Sequence, residues 1–240
     1  MDNFEIDLSC YMVELYLESL KDLLKPKKAE EVPLEIKKNA HGMVLVDGAH
    51  EIPIESLQQA NKIFNYGLDN RKTASTNMNK TSSRSHLVFS IVINSRNKQT
   101  GQRTVGKLSL VDLAGSERVS KTGATKDRFK EALAINKSLS ALGNVISALG
   151  DGKKKHVPYR DNKLTMLMED SLGGNAKTLM FVNVSPSSFN VDETNTSLVY
   201  AKRVKNIKNV AVKNTKTKQT DKMNRIIMDL QGEISRLENN

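Results

Sequence analysis

The sequence predicts an α/β fold with a central, mostly buried sheet flanked by helices, and three observations carry the prediction. LVFSIVIN (Leu87–Asn94) and TLMFVNV (Thr178–Val184) are nearly continuous apolar runs of strand length, the pattern of strands covered on both faces. Arg128–Leu149 places Ile135, Leu139, Leu142, Ile146 and Leu149 on one stripe at three- and four-residue spacings, a long amphipathic helix closed by Gly150. Strand-like and helix-like segments alternate along the chain, which is the order of an α/β sheet.

The elements follow in order. Cys10–Leu24 begins as a strand and becomes helical, ending before Pro26. Leu34–Lys37 and Met43–Val46 are short strands joined by the turn Asn39–Gly42. From Ile54 to Asn70, Leu57, Ala60, Phe64 and Leu68 recur at helical spacing. After the strand Leu87–Asn94, Asn97–Arg103 is a polar hairpin connection into the strand Lys107–Asp112. Pro158–Leu172 is helical with Gly173 and Gly174 as its stop, and Asp192–Lys208 is a further helix. Beyond Asn209 the chain turns to Lys, Thr, Asn and Gln, a linker. Met223, Ile227, Leu230, Ile234 and Leu237 then repeat over about two heptads, short for a coiled coil.

Composition bounds the function. No apolar run approaches the roughly 18 residues of a membrane span, and Met1–Asp7 is too acidic for a signal peptide. Cys10 is the sole cysteine, which precludes an internal disulfide and is compatible with the cytoplasm. Against 27 acidic residues stand 37 Lys and Arg, a net charge of +10 that favours an anionic partner. Aromatics make up 5% with no Trp, a poor supply for stacking on nucleic-acid bases, and no nucleic-acid recognition module is present. The four histidines show no metal-ligand spacing.

Phosphate chemistry is suggested in three places. GQRTVGK (Gly101–Lys107) fits Gly-x-x-x-x-Gly-Lys but leads into Leu108, where a Mg²⁺-binding Ser or Thr belongs, and it enters a strand rather than a helix. It is therefore a chance match. LSLVDLAGSE delivers Asp112 at the carboxyl end of a buried strand, where a carboxylate can hold a Mg²⁺-bound water. Gly115, lacking a Cβ, lets its N–H approach a phosphate oxygen. NKTSSRSH (Asn79–His86) offers the hydroxyls of Ser82 and Ser83 and the charge of Arg84 just before another buried strand. Taken singly, LSLVDLAGSE is equally a strand ending in a plain Asp–Gly turn, and NKTSSRSH reads by default as a plain Ser-rich loop. Together they form a constellation suited to sensing a terminal phosphate.

NKTSSRSH, LVDLAGSERV, EALAINKSLSALGNVISAL, HVPYRDNKLT and SLGGNAKTLMFVNVSPS resemble successive signature blocks of the kinesin motor domain, in the family's order across about Phe4–Val210. The resemblance implies a partial kinesin-type P-loop NTPase fold missing its P-loop strand, with residues 1–209 as the C-terminal portion of the motor. Residues 210–240 would be a neck or linker with a short helix able to dimerise through a coiled coil. It implies ATP and Mg²⁺ as ligands. Asn79, Ser82 and Ser83 would form the first switch, Ser83 on the metal. Asp112 would hold the Mg²⁺ shell through water, and Gly115 would touch the γ-phosphate. Arg84 and Glu117 would pair across the two switches, Glu117 relaying a proton from the attacking water.

In the family the Walker loop lies on an earlier strand, central in the sheet beside the second-switch strand. Without that strand, Leu108–Asp112 and Thr178–Val184 would lack a common neighbour, to be supplied by the N-terminal half of a motor or by a covering partner chain. The resemblance also assigns Arg118, Lys121, Arg160 and Lys163 to a face for acidic tubulin, whereas Lys153–Lys155 reads equally as solvated loop charge. Leu133 stands where some kinesins carry a basic track contact. The Met1–Leu68 portion is most similar to minus-end-directed kinesins with C-terminal motors, notably a calmodulin-binding plant group, which makes calmodulin a candidate partner. The function implied is a microtubule-associated cytoplasmic ATPase motor, inactive as this chain alone for want of a P-loop. The alternative is a non-catalytic microtubule binder that kept the track face.

Overall fold

The computed structural model describes residues 3–26, 28–39, 42–74, 84–115, 126–150, 156–209 and 215–216. Its strands are β1 (Phe4–Tyr16), β2 (Ser19–Asp22), β3 (Glu35–Lys38), β4 (Val44–Asp47), β5 (Ile52–Pro53), β6 (Ser85–Asn97), β7 (Arg103–Asp112) and β8 (Thr215–Lys216). The helices are α1 (Leu57–Ala74), α2 (Lys126–Gly150), α3 (Lys163–Leu167) and α4 (Val191–Val204). The main sheet runs β2-β1-β6-β7-β8 with β5 also on β1, while β3 and β4 form a separate hairpin. Every pairing among the described residues is antiparallel.

β1 and β6 pair along their whole length, from Phe4 opposite Asn97 to Tyr16 opposite Ser85. Successive side chains of a strand point to opposite faces, so this register sorts the core into two halves. One face carries Tyr11, Val13, Leu15, Val88 and Val92 under Leu142, Val145 and Ile146 of α2 and Leu164 and Leu167 of α3. The other carries Cys10, Met12, Leu87 and Phe89 against Ile63 of α1 and the buried Leu23 and Leu24. Phe64 meets Phe89 edge-on with ring centroids 5.2 Å apart. Helix α1 lies close to β1 because Gly67 has no side chain, and a Cβ there would stand 2.2 Å from the Met12 sulfur.

Three expectations are corrected. Cys10–Leu24 does not turn helical: β1 continues to Tyr16 and returns as β2 through a two-residue turn, with Leu17 left-handed at φ 55°. Cross-strand pairing of Val13–Tyr16 with Ser19–Asp22 outweighs the helical spacing of the leucines. Pro158–Leu172 is not one helix but a 3-10 turn (Tyr159–Asp161), the short α3 and further turns. Asn162 ends the turn in extended conformation and caps α3, its side-chain oxygen accepting from the Leu164 N–H.

The third correction concerns Thr178–Val184, which is in no ladder of the described structure and leaves Leu179 76% and Phe181 79% exposed. A strand exists only with a partner edge, and among the described residues β7 pairs on that side with β8 alone, at Arg103 and Thr104. Leu108 and Leu110 of β7 are likewise half-exposed. A cavity of about 450 Å³ lies between Thr178–Val182 and Ala201 and Val204 of α4. Among the described residues, neither Leu108–Asp112, on its side away from β6, nor Thr178–Val184 has a paired strand.

The remaining elements agree with the sequence. β3 and β4 each lie one residue beyond the expected strands, β6 and β7 extend theirs, and α2 spans the whole predicted stripe. The heptad residues Met223–Leu237 lie outside the described residues.

Candidate functional site

Antiparallel pairing brings the carboxyl end of β7 beside the start of β6, with Asp112 opposite Leu87. Helix α1 ends nearby and aims Arg71 at the same corner. Arg71 is 7% exposed, and its Nη1 donates to Asp112 Oδ2 at 3.1 Å. Nε reaches Glu14 Oε1 at 3.3 Å, and Nη2 donates to the Ser85 carbonyl at 3.0 Å and its hydroxyl at 3.2 Å. Ser85 Oγ donates in turn to Glu14 Oε1 at 2.6 Å. The planar guanidinium fork thereby ties α1, β1, β6 and β7 together at one point.

Glu14 is 4% exposed in the middle of an apolar strand, so Arg71 and the Ser85 hydroxyl are what make its burial tolerable. Asp112 differs. Its side chain is 65% exposed although one oxygen is held by Arg71. An anchored yet solvent-facing carboxylate has a fixed direction and remains open to a ligand.

A second network fixes the backbone just beyond. The Ala114 N–H donates to His86 Nδ1 at 3.0 Å, and His86 Nε2 lies 2.9 Å from Ser138 Oγ of α2. Ser138 Oγ donates to the Ile135 carbonyl at 2.7 Å. Burial pushes the His86 imidazole down to about 4, opposed by nearby Asp112 and reinforced by Arg71. Gly115 follows Ala114 directly and is half-buried, three residues beyond the exposed Asp112.

Arg84 is half-buried immediately before β6. Asn79, Ser82, Ser83, Glu117, Arg118 and Lys121 lie outside the described residues. Arg160 is exposed on the 3-10 turn and Lys163 half-buried at the first position of α3. The block between them is firmly held. Thr165 Oγ1 donates to the Asn162 carbonyl at 2.7 Å, the Asn162 amide donates to Glu18, and the Tyr159 hydroxyl to the Leu172 carbonyl.

Lys107, the lysine of the chance phosphate-loop match, is a core residue. Its Nζ donates to Asp170 Oδ2 at 2.7 Å and to the Val44 carbonyl at 2.5 Å, and Asp170 Oδ2 also accepts the Val44 N–H at 2.9 Å. Both side chains are nearly inaccessible, at 9% and 4%. This ion pair joins β7 to β4 on the α2 side of the sheet.

Sequence reasoning missed Arg71, Glu14, Ser138 and Asp170. A signal for Glu14 was present, since a lone carboxylate inside CYMVELYL requires a cation. Nothing local marks the Ser138 contact to His86, 52 residues away, or the Asp170 contacts to Lys107 and Val44, 63 and 126 residues away.

The kinesin motor domain family model matches residues 1–207. Kinesin-like protein KIN-14E of Arabidopsis thaliana is 54% identical over 224 residues, 93% of this chain and 18% of that protein. Kinesin-like protein Klp68D of Drosophila melanogaster is 47% identical over 98% of this chain and 29% of its own length. A solved fast kinesin superposes with a TM-score of 0.80 at 45% identity, over 91% of this chain and 61% of that one. A solved Kar3Vik1 C-terminal motor and motor homology domain gives 0.72 at 40% identity, covering 84% and 52%. The chain thus spans under a third of the two curated relatives and about three-fifths of the solved fast kinesin. A match along nearly the whole chain, in sequence and in fold, places it in the kinesin motor domain family.

Proposed function

We propose that this chain is the switch-bearing, track-facing portion of an ATP-driven microtubule motor. The carrying observation is the corner at the end of β7. There Arg71 orients the exposed Asp112 carboxylate, and His86 holds the Ala114 amide beside Gly115. That donor set fits a hydrated Mg²⁺ and a terminal phosphate, because the free face of Asp112 can accept from metal-bound water and the Gly115 N–H can donate to an anion. Mg²⁺, when bound, neutralises phosphate charge as the terminal bond breaks. Asn79, Ser82 and Ser83 complete the first switch in this reading, and Glu117 takes a proton through water.

Arg84 and Glu117 close the two switches as an ion pair. Arg84→Glu and Glu117→Arg should each lower microtubule co-sedimentation, and the double swap should recover part of it. Equal loss in all three variants would oppose the pairing.

The basic residues Arg118, Lys121, Arg160 and Lys163 face the acidic track, with Arg160 and Lys163 displayed by the braced 3-10 turn and α3. Rim charges of this kind steer association and are screened by salt. Microtubule co-sedimentation should fall as salt rises and as the four residues become Ala. Undiminished binding by the quadruple variant at moderate salt would overturn the assignment.

A second reading, a microtubule binder without ATP turnover, is favoured by one observation: the only Gly-x-x-x-x-Gly-Lys in the 240 residues has its lysine buried against Asp170. Restoring a P-loop strand, in cis or as a second polypeptide seated between β7 and Thr178–Val184, separates the two. Under the motor reading it confers ATP turnover; under the other it confers none.

A further inference from the structure

We propose that His86 and Ser138 form a directional hydrogen-bond relay that registers the position of the second-switch backbone on helix α2. The inference deepens the motor reading above and rests on it for its functional meaning, while its geometry stands on the described residues.

β7 ends at Asp112, so the Ala114 N–H lies beyond the ladder in a residue that is itself buried. A buried amide without an acceptor is costly, and His86 Nδ1 supplies one. Accepting at Nδ1 leaves the proton of the neutral ring on Nε2, which points at Ser138 Oγ. The hydroxyl has a single proton, and it goes to the Ile135 carbonyl one turn back in α2. Each donor therefore has one acceptor, and the chain runs in one direction: Ala114 N–H to His86, His86 to Ser138, Ser138 to the α2 backbone.

The placement gives this chain a consequence. The anchored Ala114 N–H fixes the Leu113–Ala114 peptide, the point from which the backbone departs into Gly115, which has no Cβ to limit its own conformation. Any movement of that amide must drag or break the His86 contact. The His86 ring sits between sheet and helix and cannot follow without leaving Ser138. Among the described residues, Asp112 and Arg71 are the charged groups that act on the ring, and neither occupies its two nitrogens. His86 and Ser138 are thus positioning residues, acting on Gly115 and α2 through hydrogen bonds.

The test is amide hydrogen exchange and histidine ¹⁵N chemical shifts on the full chain. His86 should show the Nε2–H tautomer at neutral pH. Ser138→Ala should raise exchange at Ala114 about tenfold while leaving core amides of β1 and β6 unchanged. His86→Asn places a carbonyl oxygen near the Nδ1 position and should retain Ala114 protection while no longer responding to Ser138→Ala. Microtubules should alter Ala114 exchange in the wild type and not in Ser138→Ala, although that variant still co-sediments. An Nδ1–H tautomer, unchanged Ala114 exchange in Ser138→Ala, or a uniform rise across the sheet would overturn the relay. If the wild type fails to bind microtubules, the motor reading falls, and the relay is judged on the tautomer and exchange results without them.

Discussion

Lys107→Met separates a structural lysine from a phosphate-binding one. Methionine keeps the length and apolar stem of the side chain and removes the charge. Asp170, 4% exposed, would then keep the Val44 N–H and the Ser171 hydroxyl as donors and lose its counter-ion. Breaking a buried ion pair from one side costs about 3–5 kcal/mol, because the remaining charge is stranded. At a urea slope of about 2 kcal/mol per molar, the unfolding midpoint should drop by about 1.5–2.5 M. Lys107→Met with Asp170→Asn should recover most of this loss, since the amide oxygen still accepts from Val44 and nothing charged is buried. The single variants and the pair form a double-mutant cycle read by urea unfolding followed by circular dichroism. If Lys107→Met shifts stability by less than about 0.5 kcal/mol, the buried pair is not what holds β7 to β4 and the reasoning fails.

Other outcomes follow from the same packing. Gly67→Ala should destabilise by about 1–2 kcal/mol net: overpacking Met12 outweighs the roughly 1 kcal/mol helix-propensity gain of Ala. A raised melting temperature would contradict it. His86 should make stability pH-dependent. Its pKa is lowered from 6.5 to about 4 in the fold, so the unfolded chain binds the extra proton first as pH falls. The contribution is full above about pH 6.5 and is lost on the way down to about pH 4, amounting to about 3 kcal/mol. Wild type minus His86→Asn midpoints between pH 7.5 and 4.5 measure it, and parallel curves would count against it. Cys10 is fully buried with its thiol pushed up to about 11 by burial and by Glu51, so thiol reagents at pH 8 should leave it unmodified until the chain is unfolded.

What was legible in the sequence was whatever repeats locally. The apolar run LVFSIVIN and the stripe Ile135–Leu149 state their own element type, and β6 and α2 follow them. The leucines of Leu15–Leu24 sit at helical spacing, yet their conformation is decided by strand pairing, which spacing does not encode. TLMFVNV has every local property of a buried strand, yet among the described residues no edge pairs with it. The site divides in the same way. Asp112 and Gly115 were visible as a strand end and a bare glycine, whereas Arg71 meets Asp112 across 41 residues, Ser138 meets His86 across 52 and Asp170 meets Lys107 across 63. Lys107 shows the converse: a motif match whose side chain points into the core.

The central proposal is that the Asp112–Gly115 corner of this kinesin-family chain senses a phosphate that these 240 residues do not position. Most affinity in such enzymes comes from the Walker backbone amides and lysine, and positioning together with charge stabilisation accounts for most of the rate. Isothermal titration of the 240-residue chain with Mg-ATP tests this directly. No saturable heat at micromolar concentrations is expected, with binding appearing once a P-loop strand is supplied. Micromolar affinity in the chain alone would contradict the account.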